Sequence, residues 1–345
     1  MDDITFDEQR ARLQSYERGF FAVYLIRIGI ELGIFKKLNS LDKGVSSSAL
    51  ASELGLHEPY VSVWCQAAYH LQILEADESS NFRLAPHMSP LLADSDNPYY
   101  FGHTIDMRTR YTADHLQRHP EYYKSGDIYS CEADGADFSR AQKAMTNHSI
   151  PALYLLMLIP SIPGLKERLD AGMRILDIGC GTGVLMTQLA KTFPKCEFVG
   201  IEVDGFAVED AQRYIRDNGV EGRVFAQLID ASSMKYDGEF DLVNMAMVLH
   251  EIERETRYQS MVNSFKVLNE SGEIVILDFV YPESLQDFRE PEYTMGILDQ
   301  FYELTRGSEL LSRTAKQQLL LECGFKYPTN ISLLGGSLEV THANK

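Results

Sequence analysis

Arg174-Ile-Leu-Asp-Ile-Gly-Cys-Gly-Thr-Gly183 joins a short apolar run, an acid and three alternating glycines. That order describes a buried parallel strand, a tight turn and the first turn of a helix. A turn without β-carbons lets a ligand lie directly against main-chain N–H groups. The spacing excludes the dinucleotide fingerprint, because residue 184 is Val and residue 186 is Met where that pattern needs Gly. It also lacks the Gly-Lys-Ser/Thr of a phosphate-binding P-loop. An acid two residues before the first glycine would repel a pyrophosphate but can receive an ammonium, as at the amino-acid end of S-adenosylmethionine.

From Met173 onward the pattern alternates strand and helix. Strands are expected near 173–178, 196–202, 223–229, 240–246 and 273–280. Helices are expected near 183–193, 205–218, 252–268, 287–305 and 313–323. Such alternation implies a parallel sheet covered on both faces, with ligands beyond the carboxyl ends of its strands. The second strand ends in Phe198-Val-Gly-Ile-Glu202, whose carboxylate can accept both ribose hydroxyls of a nucleoside. Asp204 competes for that role but suits a helix N-cap better. The third ends in Leu228-Ile-Asp230-Ala-Ser232, where a carboxylate can accept from an adenine amine or cap the following turn.

The first half reads differently. Residues 12–38 form helices that are apolar on nearly every face, and such helices are buried in a core or between subunits. Next comes Ser47 to Trp64, with a serine cap, Gly55 as a stop and Glu58-Pro59 opening a second helix. Ile73 to Leu84, with Ser79-Ser-Asn81 in its middle, suits a small hairpin. Together these make a winged helix-turn-helix. Between Ser46 and Ala93 lie Glu53, Glu58, Glu75, Asp77 and Glu78 against Arg83 alone, so DNA binding is not expected. A net charge of −18 over 345 residues also disfavours nucleic acid and anionic membrane as partners. Cysteines 65, 131, 180, 196 and 323 show no paired spacing, which suits a reducing compartment and neither a disulfide framework nor a structural zinc site. No apolar run reaches membrane-spanning length, and the acidic start differs from a signal peptide, so the expected location is the cytoplasm.

On Asp177-Ile-Gly-Cys-Gly-Thr-Gly183, Glu202 and Asp230 the chain resembles the class I S-adenosylmethionine-dependent methyltransferases. The helical, winged-helix first half makes the resemblance closer to the small-molecule O-methyltransferases of plant phenylpropanoid and bacterial natural-product metabolism, antibiotic biosynthesis included. The resemblance implies a Rossmann-like, doubly wound α/β sheet after an N-terminal winged-helix dimerisation domain. Its divisions would be 1–95 for dimerisation, 96–150 for helices that line the substrate pocket, and 151–345 for the catalytic domain. It implies S-adenosylmethionine held by Asp177, Gly179, Gly181, Gly183, Glu202, Asp230, Ala231 and Ser149.

Leu249-His250-Glu251-Ile252, after the fourth strand, matches the Leu-His of the family's Leu-His-Asp-Trp and departs from it afterwards. The resemblance makes His250 the general base that deprotonates an acceptor hydroxyl, with Asp278 and Glu309 holding its ring. Met145 and His148, in Ala144-Met-Thr-Asn-His-Ser149, would touch the acceptor. The tyrosines of Tyr99–Arg108 and Tyr122–Asp127 could line the pocket without any motif fixing them. The expected partners are a small-molecule acceptor and a second copy of the chain, with no metal. Relatives of this architecture that methylate the β-carbon of 2-oxo acids through an enolate give an alternative, in which a divalent metal enters. A regulatory or cofactor-binding protein without catalysis is a third reading.

Overall fold

A computed structural model describes residues 4–129 and 134–345, so Cys131 lies outside the described residues. The chain forms two compact units, Met1–His115 and Leu116–Lys345.

In the first unit, Thr5 and Glu8 form a reciprocal capping box that starts α1 (Phe6–Glu31). Gly33, in the left-handed conformation, separates it from α2 (Ile34–Asn39). Ser46 accepts a hydrogen bond from Ala49 N to begin α3 (Ser47–Leu54), and left-handed Gly55 ends it. Then come α4 (Glu58–His70), with Pro59 in its first turn, and the hairpin β1 (Leu74–Ala76) and β2 (Phe82–Leu84). Val45 bridges Phe82 as a third edge of this wing. Ile34, Phe35, Leu50, Val61, Trp64 and Leu74 make the core, and Trp64 Nε1 donates to Leu25 O at 3.0 Å. The short α5 (Met88–Leu92) and α6 (Gly102–Met107) complete the unit. The winged-helix expectation matches these elements. Burial of α1 is partial: Gly29 is buried and Leu25, Ile26 and Ile30 pack on this core, while Leu13, Tyr16, Phe20, Phe21 and Ile28 are exposed.

The helix α7 (Ala113–Ser125) carries the chain into the second unit. There α8 (Gly135–Asn147), α9 (Ser149–Leu153), α10 (Ile159–Ser161) and α11 (Leu165–Ala171) precede β3 (Arg174–Ile178). Then follow α12 (Val184–Thr192), β4 (Glu197–Glu202), α13 (Gly205–Asp217), β5 (Val224–Leu228) and β6 (Phe240–Ala246). The remainder is α14 (Arg254–Val267), β7 (Leu268–Phe279), α15 (Thr294–Glu303), α16 (Arg313–Glu322), β8 (Lys326–Leu333) and β9 (Leu338–Asn344).

The sheet order is β5-β4-β3-β6-β7-β9-β8. Alternation through the sheet sends Ile175, Phe198 and Leu242 to one face, under α9 to α13. Leu176, Val199 and Val243 go to the other, under α14 and α16. The order reverses between β3 and β6, which places the crevice at the carboxyl ends of these strands.

Two expectations change. The sheet is mixed, because β9 pairs antiparallel with both β7 and β8. The helix expected at 287–305 is only α15, preceded by two 3-10 turns, since Pro291 offers no N–H to a continuous helix. Within the second unit, α8 is tied to the sheet: Ser139 bonds Asp204, Arg140 meets Asp210, and Gln142 donates to Glu251. Among the described residues no single helix is long and apolar enough to cross a membrane.

Candidate active site

The glycine loop leaves β3 with Gly179, Gly181 and Gly183 all at positive φ, between +54° and +70°. Gly179 is required twice over: a Cβ there would lie 2.4 Å from Val248 Cγ2, and its φ is +69°. Gly179 N and Cys180 N both donate to Ile201 O, so the loop is pinned to β4. Gly183 caps α12.

Glu202 closes the loop from the tip of β4. Its Oε2 accepts from Gly181 N at 2.9 Å, and its Oε1 accepts from Val203 N at 2.8 Å and Asp204 N at 3.2 Å. Lys143 Nζ stands 3.6 Å from Oε2 and the Lys143 stem runs over Gly181. Burial disfavours the Lys143 charge, yet Glu202, Glu251 and Asp204 together raise its affinity for a proton. A carboxylate offers about four acceptor positions. Three main-chain donors and one ammonium already occupy Glu202, so a ribose would share it with or displace Lys143.

Asp177 is buried under the loop. Asn244 Nδ2 donates to its Oδ1 at 2.6 Å, and the Tyr154 hydroxyl donates to Asn244 Oδ1 at 2.7 Å. Burial pushes the Asp177 carboxyl up to about 7, with Glu202 adding to the shift and Asn244 opposing it. Asp204 caps α13 through Phe206 N, as its competing reading had it. Asp230, at the end of β5, is exposed and accepts from Ser232 N at 2.6 Å, which is the turn-capping role. Ala231 beside it is buried.

After β6 the backbone turns sharply through Met247, a non-glycine residue at φ +59°. His250 follows, 4% exposed, with Nδ1 2.7 Å from Asp278 Oδ1. Burial works against a charged imidazole, but the Asp278 charge and hydrogen bond, with Glu251 and Asp299, raise it to about 10. Asp278 also accepts from Phe279 N, and its carboxyl stays below the ordinary value: burial would raise it, and His250 and Lys316 outweigh that.

Glu309 stands otherwise than expected. Its carboxylate meets Arg257 at 3.2 Å, and only its main-chain N–H touches His250, at the carbonyl oxygen (2.9 Å). The cause is buried Arg257, which also donates twice to Ile252 O and so draws the carboxylate away from the ring. Glu303, nearly buried and beside Arg306 and Ser308, has its carboxyl raised to about 7 by burial, with Glu251 and Asp299 adding. Met145, His148 and Ser149 lie at the α8–α9 junction, where Ser149 bonds Met145 O at 3.3 Å and His148 is exposed. Asn147 accepts from Thr182 in the glycine loop at 2.9 Å, so this junction does meet that loop. Tyr99–Arg108 belongs to the first unit. Among the described residues no three His, Cys, Asp or Glu groups gather as a metal site.

Sequence reading missed Lys143, Asn244, Arg257 and Glu303. The donors and acids present suit S-adenosylmethionine: bare main chain at 179–183, a carboxylate at Glu202, and open space over Gly181 limited only by the flexible Lys143 stem.

Residues 169–317 match the family described as a methyltransferase domain. O-methyltransferase resE of Aspergillus sclerotiorum is 30% identical over 171 residues, 47% of this chain and 58% of that protein. Methyltransferase GfsG of Streptomyces halstedii is 34% identical over 127 residues, 36% of this chain and 44% of that protein. The chain thus spans less than two thirds of either relative. Among solved structures, an O-methyltransferase structure from Nostoc punctiforme has a TM-score of 0.78 at 17% identity, covering 97% of this chain and 98% of that one. Human N-acetylserotonin methyltransferase in complex with S-adenosylmethionine has 0.75 at 16%, covering 100% and 99%. Residues 169–317 thus match a methyltransferase domain, and the fold is the one seen in these O-methyltransferase structures.

Proposed function

We propose that the protein transfers a methyl group from S-adenosylmethionine to a hydroxyl oxygen of a small-molecule acceptor, with His250 as general base. The observation that carries this reading is the buried His250–Asp278 pair, at the carboxyl end of β6 in the same domain as the glycine loop. When bound, S-adenosylmethionine supplies an electrophilic methyl on a sulfonium.

The glycine loop, Glu202, Asp177, Asp230, Ala231 and Ser149 would hold the cofactor, and Met145 and His148 the acceptor. Asp278 orients the ring through Nδ1, which leaves Nε2 to take the acceptor proton. Charge makes this workable despite the raised imidazole. A sulfonium cation disfavours a neighbouring imidazolium, so the ring loses its proton more readily in the loaded site than in the free one. Much of the rate would come from holding nucleophile and methyl in line with water excluded.

We infer further that two copies pair through the exposed apolar face of α1. A panel of phenolic and hydroxylated heterocyclic acceptors with isotopically labelled methyl donor tests the reading. His250→Gln should keep S-adenosylhomocysteine affinity within about twofold and lose methyl transfer by about 100-fold or more. Unchanged turnover in that variant removes the assigned base and leaves the cofactor assignment standing.

A further inference from the structure

Behind the His250–Asp278 pair lies a second ionic layer. Asp278 on β7 and Glu339 on β9 are directly opposed partners of an antiparallel pair, so their side chains share one face of the sheet. Asp278 is 2% exposed and Glu339 is fully buried. Two carboxylates set opposite each other away from water repel strongly unless a cation is supplied. The buried cation is Lys316 of α16, 2% exposed, with Nζ 3.0 Å from Glu339 Oε1. Its Nζ makes no hydrogen bond among the described residues, so the contact is ionic only. Glu339 has other partners: Arg313 Nε at 2.6 Å on Oε2 and Asn330 Nδ2 at 2.6 Å on Oε1.

Asp278 is in a different position. When His250 is neutral, as a base must be, Asp278 loses the one cation hydrogen-bonded to it among the described residues. We propose that Lys316 is a positioning residue for the methyl-transfer base, placed to offset the Asp278 charge while His250 is unprotonated. The inference rests on the proposed role of His250. The other charged groups around the pair are Glu251 after β6, Arg257 on α14, Asp299 and Glu303 on α15, and Glu309. Of these Arg257 is a cation, and it is committed to Ile252 O and Glu309.

A cation beside the pair favours loss of its shared proton, and an anion favours keeping it. The test is titration of His250 by NMR in intact, S-adenosylhomocysteine-loaded protein with labelled histidine, its signal identified by absence in His250→Gln. Lys316→Met should move the midpoint up by about one pH unit, and Glu339→Gln should move it down. Lys316→Arg should return it toward the parent. Should Lys316→Met fail to fold, the Glu339→Gln arm and the Lys316→Met/Glu339→Gln pair, whose midpoint should fall between the single variants', still decide. A role in stability alone would lower the melting temperature without shifts of opposite sign. Unmoved midpoints in folded variants overturn the proposal, whereas a methyl transfer that survives in His250→Gln overturns only the base assignment.

Discussion

His250 and Asp278 draw their properties from each other. Asp278 raises the imidazole, and its removal should let the ring fall from about 10 toward its ordinary value. Asp278→Asn should therefore lower the midpoint of the His250 NMR titration and cut methyl transfer by about 100-fold, because a weaker base is also held in a less fixed orientation. The sign for stability follows. A raised His contributes stabilisation that is complete below the unfolded value near 6.5 and is lost as pH rises through about 10. Urea midpoints of the parent against Asp278→Asn at pH 6 and pH 10 should differ more at the lower pH. The residues of the site that follow a strand tip, such as Glu202 and His250, are legible in sequence because the alternation of strand and helix fixes where tips fall. Lys143, Arg257 and Lys316 are not, since each meets partners distant in sequence and only helix register aims them. Glu309 shows the same limit. Its place near His250 is legible, but the pull of Arg257 on its carboxylate is not.

At the scale of elements, the β3–loop–α12 unit follows directly from its sequence, for the glycines do what no other residue can. Gly179→Ala should lower stability by about 1–3 kcal/mol, through a left-handed backbone and a clash with Val248. Val248→Ala should recover part of this loss in thermal melts, and if it recovers nothing, backbone strain alone accounts for the effect. The parallel strands read correctly because apolar runs bounded by helix signals leave little choice. The hairpin of β8 and β9 passes unread. Much of β8 is exposed, and without the fold nothing shows that β9 enters beside β7. Gly335-Gly336, between the alternating segments Asn330–Leu334 and Leu338–Thr341, is the turn signal that could have found it.

For the whole molecule, the apolar surface that the sequence placed in a core or between subunits is α1. Leu13, Tyr16, Phe20, Phe21 and Ile28 face outward, an arrangement that costs solubility unless something covers it. If a second copy does, Phe20→Glu with Phe21→Glu should convert a dimer to a monomer in sedimentation velocity while the far-ultraviolet spectrum stays unchanged. A parent that sediments as a monomer at micromolar concentration sinks the pairing. The order of the strands has a different consequence, in time. β9 lies between β7 and β8 but follows every other strand in the chain, so β7 presents an open edge while some sixty residues after it are being made. Glu339 travels on that late strand. The ionic layer behind His250 therefore cannot be complete until β9 has been made and has entered beside β7, which couples maturation of the site to that step of sheet closure.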